Sequence, residues 1–300
     1  TATPTTTIGG LTFNAGAPAY DLTIGQTLIL DGAGIVVNGA GATITTIGSG
    51  GVLQFSNSSS AGTATISNSA TTYFRDSSTA GSAAITNIGS IGFEGTSTAA
   101  NATIDNAGLI DLYHSTTTAD ATITNRGLLF YYSSSSAGSS TITNTGGLDF
   151  RADSTASSAT IANANYMSFA GNSTAGNATI TNPGGITFTD SSTAGDATIT
   201  NTGGITFTSL ASAGNANVTN TGTLVFDVSG TAGNATIANQ SVMVFYRDST
   251  AGTAGITNSS QLRFTDSSSA GGAAIINTGT LSFQSTSSAG TAVIVNTGSI

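Results

Sequence analysis

The sequence predicts an all-β fold, a parallel β-helix (β-solenoid) of about 13 regular coils of 19 residues. Three observations carry that expectation. A 19-residue repeat runs through most of the 300 residues without an insertion or deletion. Each repeat alternates apolar and polar residues with period two, the pattern of a strand with one buried face. The segments between the alternating runs are built from Gly, Ser, Asn and Asp, which accept turn conformations.

The elements follow in chain order. Residues 1–33 hold no clean repeat, although Leu11, Phe13, Leu22, Ile24, Leu28 and Leu30 alternate in strand fashion, and they are expected to form an N-terminal cap over the first open edge. Residues 34–54 read as a drifted coil, with Val36 where a large apolar residue belongs and Leu53 in its expected place, so the solenoid is assigned to 34–300. From Phe55 the ruler is regular: Phe74, Phe93, Leu112, Tyr131, Phe150, Phe169, Phe188, Phe207, Phe226, Phe245, Phe264 and Phe283 follow at steps of 19. Eleven residues after each stands Ile or Val, and two before the next stands another aliphatic, with Thr72 the exception. At Ile300 nothing resembles a cap, and the coil series is expected to continue.

Every repeat also carries an asparagine two residues after that Ile or Val: Asn68, Asn87, Asn106, Asn125, Asn144, Asn163, Asn182, Asn201, Asn220, Asn239, Asn258, Asn277 and Asn296. A ligand row would need such a column, but so would a stack of buried amides bonding to one another from coil to coil. The second account requires nothing beyond the repeat itself, so the row is assigned a structural role.

Composition narrows the function classes. Only 6% of residues are charged and the formal net charge is −9, with five arginines and no lysine, so the chain offers little to neutralise nucleic-acid phosphates. A phosphate loop of the Gly-x-x-x-x-Gly-Lys kind is impossible without lysine. With no cysteine and one histidine, His114, neither a disulfide framework nor a transition-metal site is expected, and no cofactor is indicated. No apolar run reaches the roughly 18 residues of a membrane-spanning helix, so direct membrane insertion of this segment is not expected. No signal peptide precedes Thr1, and the chain reads as mature or trimmed.

The stretch Ile8–Tyr20, followed by tandem copies of Ser-Thr-Ala-Gly-Asn-Ala-Thr-Ile-Thr-Asn (residues 173–182), resembles the passenger region of repeat-rich bacterial autotransporters and related large surface exoproteins. The resemblance covers nearly the whole chain. It implies a right-handed helix, secretion, display at the bacterial cell surface and an adhesive role, and it brings no catalytic residues. The membrane barrel of that family is absent from this sequence. The consensus also differs from that of the self-associating adhesins with 19-residue repeats.

The residues flanking the Phe row are expected to face outward, and the scarce aromatic and charged side chains gather there. Tyr73, Arg75, Asp111, Tyr113, Phe130, Tyr132, Asp149 and Arg151 form the candidate binding strip, suited to sugar faces or a protein partner. Cross-strand pairing that merely stabilises an exposed sheet explains the same cluster. A weaker cluster holds Asp227, Val244, Tyr246, Arg247 and Arg263. Asp111 and Asp149, two coils and so about 10 Å apart by strand spacing, are the only carboxylate pair weighed for glycan cleavage. Surface charge is the simpler account, and no catalytic residue is assigned. Outward Thr-x-Thr pairs such as Thr179/Thr181 and Thr198/Thr200 suggest an ice-binding array, but Ala274/Ile276 and Val293/Val295 break it.

The expected function is therefore a non-catalytic, secreted cell-surface solenoid acting as an adhesin or matrix rod. Its partners would be itself, laterally or end to end, or a surface polysaccharide. The alternatives are a passive stalk, an extracellular filament and, more remotely, a polysaccharide-active enzyme.

Overall fold

The computed structural model describes residues 4–300, so residues 1–3 of the expected cap lie outside the described residues. The described residues are all-β and form a parallel β-solenoid: their thirty strands, two per turn, give about fifteen turns. It divides into two compact units, Thr1–Leu148 and Asp149–Ile300. In each unit, from Val52 onward, one strand of a turn ends on the Phe row and the other on the Asn row, and like strands pair in parallel. We call the two arrays the Phe sheet and the Asn sheet.

The first unit begins with two turns wider than the repeat. Tyr20 lies opposite Ala42, 22 residues on, and Thr27 opposite Val52, 25 residues on. These two turns account for the difference from the expected thirteen. They also displace Val36. It pairs with Thr12, and the position beneath Phe55 is taken by Leu30, which is fully buried. From Val52 onward the pairing step within the unit is 19, as in Phe55 opposite Phe74 and Ile66 opposite Ile85.

The period-two pattern places its apolar residues as expected. In a strand such as Thr198–Asn201 the second and fourth residues are buried and the first and third exposed. Phe rings stack on their successors 4.8 Å apart in the first unit, at Phe55, Phe74 and Phe93. In the second unit the stack from Phe150 to Phe283 keeps centroid distances of 4.6 to 5.0 Å. Alanines fill the remaining core, among them Ala175, Ala178, Ala194 and Ala197.

The segment between the Phe row and the Asn strand contains more order than a turn. Its Ser or Thr, five residues after the Phe position, makes a one-residue parallel bridge to the equivalent residue of the next coil, as in Thr174 to Thr193 to Ser212. The same hydroxyl accepts a bond from the backbone N–H two residues on, for example Gly195 N to Thr193 Oγ1 at 3.0 Å. That N–H belongs to a residue in the left-handed region, φ +59° at Gly195, where glycine is unstrained. Each coil thus has a third contact line, which explains why Ser/Thr-Ala-Gly recurs.

Candidate binding surfaces

The asparagine row is an internal ladder. Asn68 Nδ2 donates to Asn87 Oδ1 at 2.6 Å, and the chain continues through Asn106 and Asn125 to Asn144 at 2.7 Å per step. In the second unit it runs from Asn163 to Asn296 at 2.6 to 2.8 Å. The second amide hydrogen goes to a backbone carbonyl of the following coil, as from Asn201 to Thr223 O at 3.1 Å. From Asn68 to Asn277 these amides are buried and their hydrogen-bonding capacity is spent inside the protein.

Six residues of the aromatic strip lie on the outer side of the Phe sheet in the first unit. Tyr73 lies across Gly92, where a Cβ would come within 2.8 Å of its ring. The Arg75 guanidinium sits 4.6 Å from the centre of that ring and its Nε is 3.2 Å from Glu94 Oε2. Asp111 pairs in register with Gly92 on one side and Phe130 on the other. Tyr113 stacks on Tyr132 at 4.8 Å with planes 5° apart, and Phe130 leans on Tyr132 at 5.7 Å and 40°. Beside them Leu128 is 47% exposed. Partial burial, and then the Asp111 carboxylate, raise the Tyr113 pKa, which keeps its hydroxyl protonated and able to donate.

This packing changes what the strip can bind. Sugars stack on open ring faces, but Tyr113 has a face against Tyr132, and the Tyr73 ring is spent on Gly92 and Arg75. Beside this stack the surface offers a phenol donor at Tyr113 and the exposed Leu128. Such a surface suits a protein contact better than a glycan platform.

Asp149 and Arg151 belong to the second unit. The sequence places Asp149 facing outward, but it is only 7% exposed. Its carboxylate takes a 2.5 Å bond from Ser168 Oγ and a 2.8 Å ion pair from Arg151. The small side chains around it let the carboxylate fold down onto the sheet, and a general acid or base so held is poorly placed to meet a substrate. Most charged ends of the weaker cluster are likewise paired within it. Arg263 donates to the Tyr246 hydroxyl at 2.9 Å, Arg247 pairs with Asp227 at 3.2 Å, and Val244 is buried, not exposed.

His114 occupies the left-handed turn position two residues after Leu112, with φ +63°, which accounts for a polar residue there without a ligand. Among the described residues no three His, Cys, Asp or Glu side chains gather to hold a metal ion. A shallow open depression of about 280 Å³ lies elsewhere, lined by Leu22, Ile24, Gln26 and Leu28.

Sequence reasoning missed a buried polar cluster. Tyr131, the one tyrosine of the Phe row, places its hydroxyl 2.9 Å from Thr118 Oγ1, which also donates to Ala137 O at 3.0 Å and lies 3.3 Å from Ser140 Oγ. Thr118 and Ser140 stand where the other repeats have alanine. The signal was available as three departures from the repeat within 23 residues, Thr118 through Ser140.

The fold and these surfaces define the class: a repeat β-solenoid whose distinctive residues lie on outward sheet faces. No protein-family model, curated protein or solved structure matches the chain.

Proposed function

We propose that this chain is a non-catalytic adhesive solenoid, secreted and displayed at a bacterial surface, as its resemblance to autotransporter passenger regions suggests. The observation that carries the reading is the outer face of the Asn sheet. From Thr160–Asn163 to Val293–Asn296 its outward positions bear no charged residue. Little like-charge repulsion or ion desolvation opposes close approach there, and a repeated surface adds many weak contacts in register. The test is clumping of cells that display residues 1–300 in a background without other adhesins. Settling that needs the displayed chain and stops with excess soluble chain supports homotypic adhesion; retention on a polysaccharide film supports the matrix version. Neither response, with display verified, leaves the passive stalk. That second reading draws support from Arg75, Arg126, Arg151 and Arg247, each already paired with an acidic residue of the chain itself.

A further inference from the structure

The wide N-terminal turns join two residue types that the repeat keeps apart. In the repeat a glycine stands two residues after the asparagine, as in Asn201-Thr202-Gly203, whereas Asn38 is followed directly by Gly39, the single Asn-Gly step of the sequence. Asn38 lies just past the strand Thr27–Val37 and is exposed. Among the described residues neither its side-chain amide nor the Gly39 N–H has a hydrogen-bond partner. Packing imposes the glycine, because a Cβ there would come within 2.6 Å of Asn14 O and 3.1 Å of Ala17 O. An unbonded backbone nitrogen with a glycine's freedom thus stands next to an unbonded amide in contact with water.

The other asparagines lack one or another part of this arrangement. The ladder amides are buried and bonded at both ends, as at Asn201. Asn57 and Asn172 are exposed, but their Nδ2 groups donate to Asp31 O and Asp153 Oδ1. Asn101 and Asn177 are followed by Ala102 and Ala178, whose N–H groups donate to Ala99 O at 3.0 Å and Ala175 O at 3.1 Å. Asn14 is followed by Ala15, whose methyl group crowds an attack by its own nitrogen.

We propose that Asn38 is a site of spontaneous modification, its amide lost through attack by the Gly39 nitrogen. That nitrogen bonds to Asn38 Cγ, the Cγ–Nδ2 bond breaks, and Nδ2 leaves as ammonia with the proton given up by Gly39. Water then opens the resulting succinimide. Opening at the side-chain carbonyl leaves an aspartate; opening at the backbone carbonyl leaves an isoaspartate, with the main chain running through Cβ. The second product lengthens the backbone by one methylene between two bonds that hold the turn, Asn38 N to Phe13 O at 2.8 Å and Ala40 N to Ala17 O at 3.2 Å. Both cannot be kept at the longer spacing, so the turn loosens as the protein ages.

The test follows the whole folded chain in warm, mildly alkaline buffer by mass spectrometry. The mass shift of an amide becoming an acid is expected at Asn38 before any other asparagine, with the β-linked product identified by fragmentation of its peptide. Asp31-Gly32, the one Asp-Gly step, can close the same ring but returns to its starting mass, so it does not enter this reading. Gly39→Ala also slows ring closure but introduces the clash with Asn14 O, so Asn38→Gln, which leaves the backbone untouched and disfavours the ring, is the deciding variant. It is expected to show no early shift. Amide hydrogen exchange at Ala40 and at Tyr20, which donates to Gly41 O at 3.3 Å, is expected to quicken in the aged parent and not in aged Asn38→Gln. First conversion at another asparagine, or the same early shift in Asn38→Gln, would overturn the site. Conversion at Asn38 with exchange at Ala40 and Tyr20 unchanged would overturn the loosening of the turn.

Discussion

Thr72 Oγ1 donates a 3.1 Å bond to Asn68 Oδ1, so the one aliphatic-row position filled by a hydroxyl lies beside the first amide of the asparagine ladder. Every later asparagine of the first unit receives a donor from the coil before it. Asn68 has no such neighbour, because the preceding coil carries Thr46, whose Oγ1 also donates to Asn68 Oδ1 at 2.5 Å. Two threonines thus close the acceptor end of a ladder whose donors all point toward later coils.

Thr72→Ile, which restores the repeat consensus, is therefore expected to destabilise. It removes one of two donors from a buried oxygen, a loss of about 1–2 kcal/mol. Thr72→Val keeps the shape and is expected to lose a similar amount. Because coils of a solenoid unfold with local character, hydrogen exchange of the amides in Thr65–Asn68 and Thr71–Phe74 is the measurement. Faster exchange confined to these strands is expected, and slower exchange in the isoleucine variant would contradict the capping role.

Within the ladder the cost is larger. Asn201→Leu leaves the Asn182 amide hydrogen without its acceptor and Asn220 Oδ1 without its donor. Two orphaned buried groups cost about 2–6 kcal/mol together. Denaturant unfolding of this variant beside Thr200→Leu, an outward neighbour expected to shift stability by less than about 0.5 kcal/mol, separates the ladder from general sheet propensity.

The fold was legible because the repeat is nearly unbroken. Phe55 to Phe283 at one spacing gives the coil length, and the alternation around Ile199 and Asn201 gives the inward face. The failures sit where the repeat is broken or where contacts are decided in three dimensions. Val36 was misplaced because the wide N-terminal turns cannot be counted from a 19-residue ruler; Leu30 occupies the position by pairing, not by spacing. Asp149 reads as exposed because its strand position points outward, yet the small Ser168 beside it gives the carboxylate a partner on the sheet. The strip's residues could be named from the sequence, but that Tyr113 stacks on Tyr132 and Tyr73 lies across Gly92 depends on rotamers that no pattern encodes.

Tyr131, Thr118 and Ser140 form a unit in which single changes should cost more than the sum suggests. Thr118→Ala or Ser140→Ala alone strips a partner from a buried phenol and is expected to cost about 1–3 kcal/mol. Combining Thr118→Ala, Tyr131→Phe and Ser140→Ala restores the consensus of the other coils. That triple variant replaces all partners with apolar groups and is expected to be close to neutral. A double-mutant cycle on Thr118 and Tyr131 measures the coupling. Additive losses would show that the three hydroxyls do not act together.

The same phenol gives a pH dependence of fixed sign. Burial is the main cause raising the Tyr131 pKa far above its ordinary value of 10.0, against smaller opposing effects from its Thr118 and Ser140 bonds. Below pH 10 the phenol is neutral in both folded and unfolded chains and stability does not change with pH through this group. Above pH 10 the unfolded chain ionises first and binds fewer protons than the folded chain, so stability falls as pH rises. One group supplies at most about 1.4 kcal/mol per pH unit in this window. Tyr131→Phe is expected to flatten that decline between about pH 10 and 11.5, the part due to partly exposed tyrosines such as Tyr113 persisting. Unfolding curves at half-unit intervals decide it: parallel declines in parent and variant would mean that the buried phenol ionises without unfolding its coil.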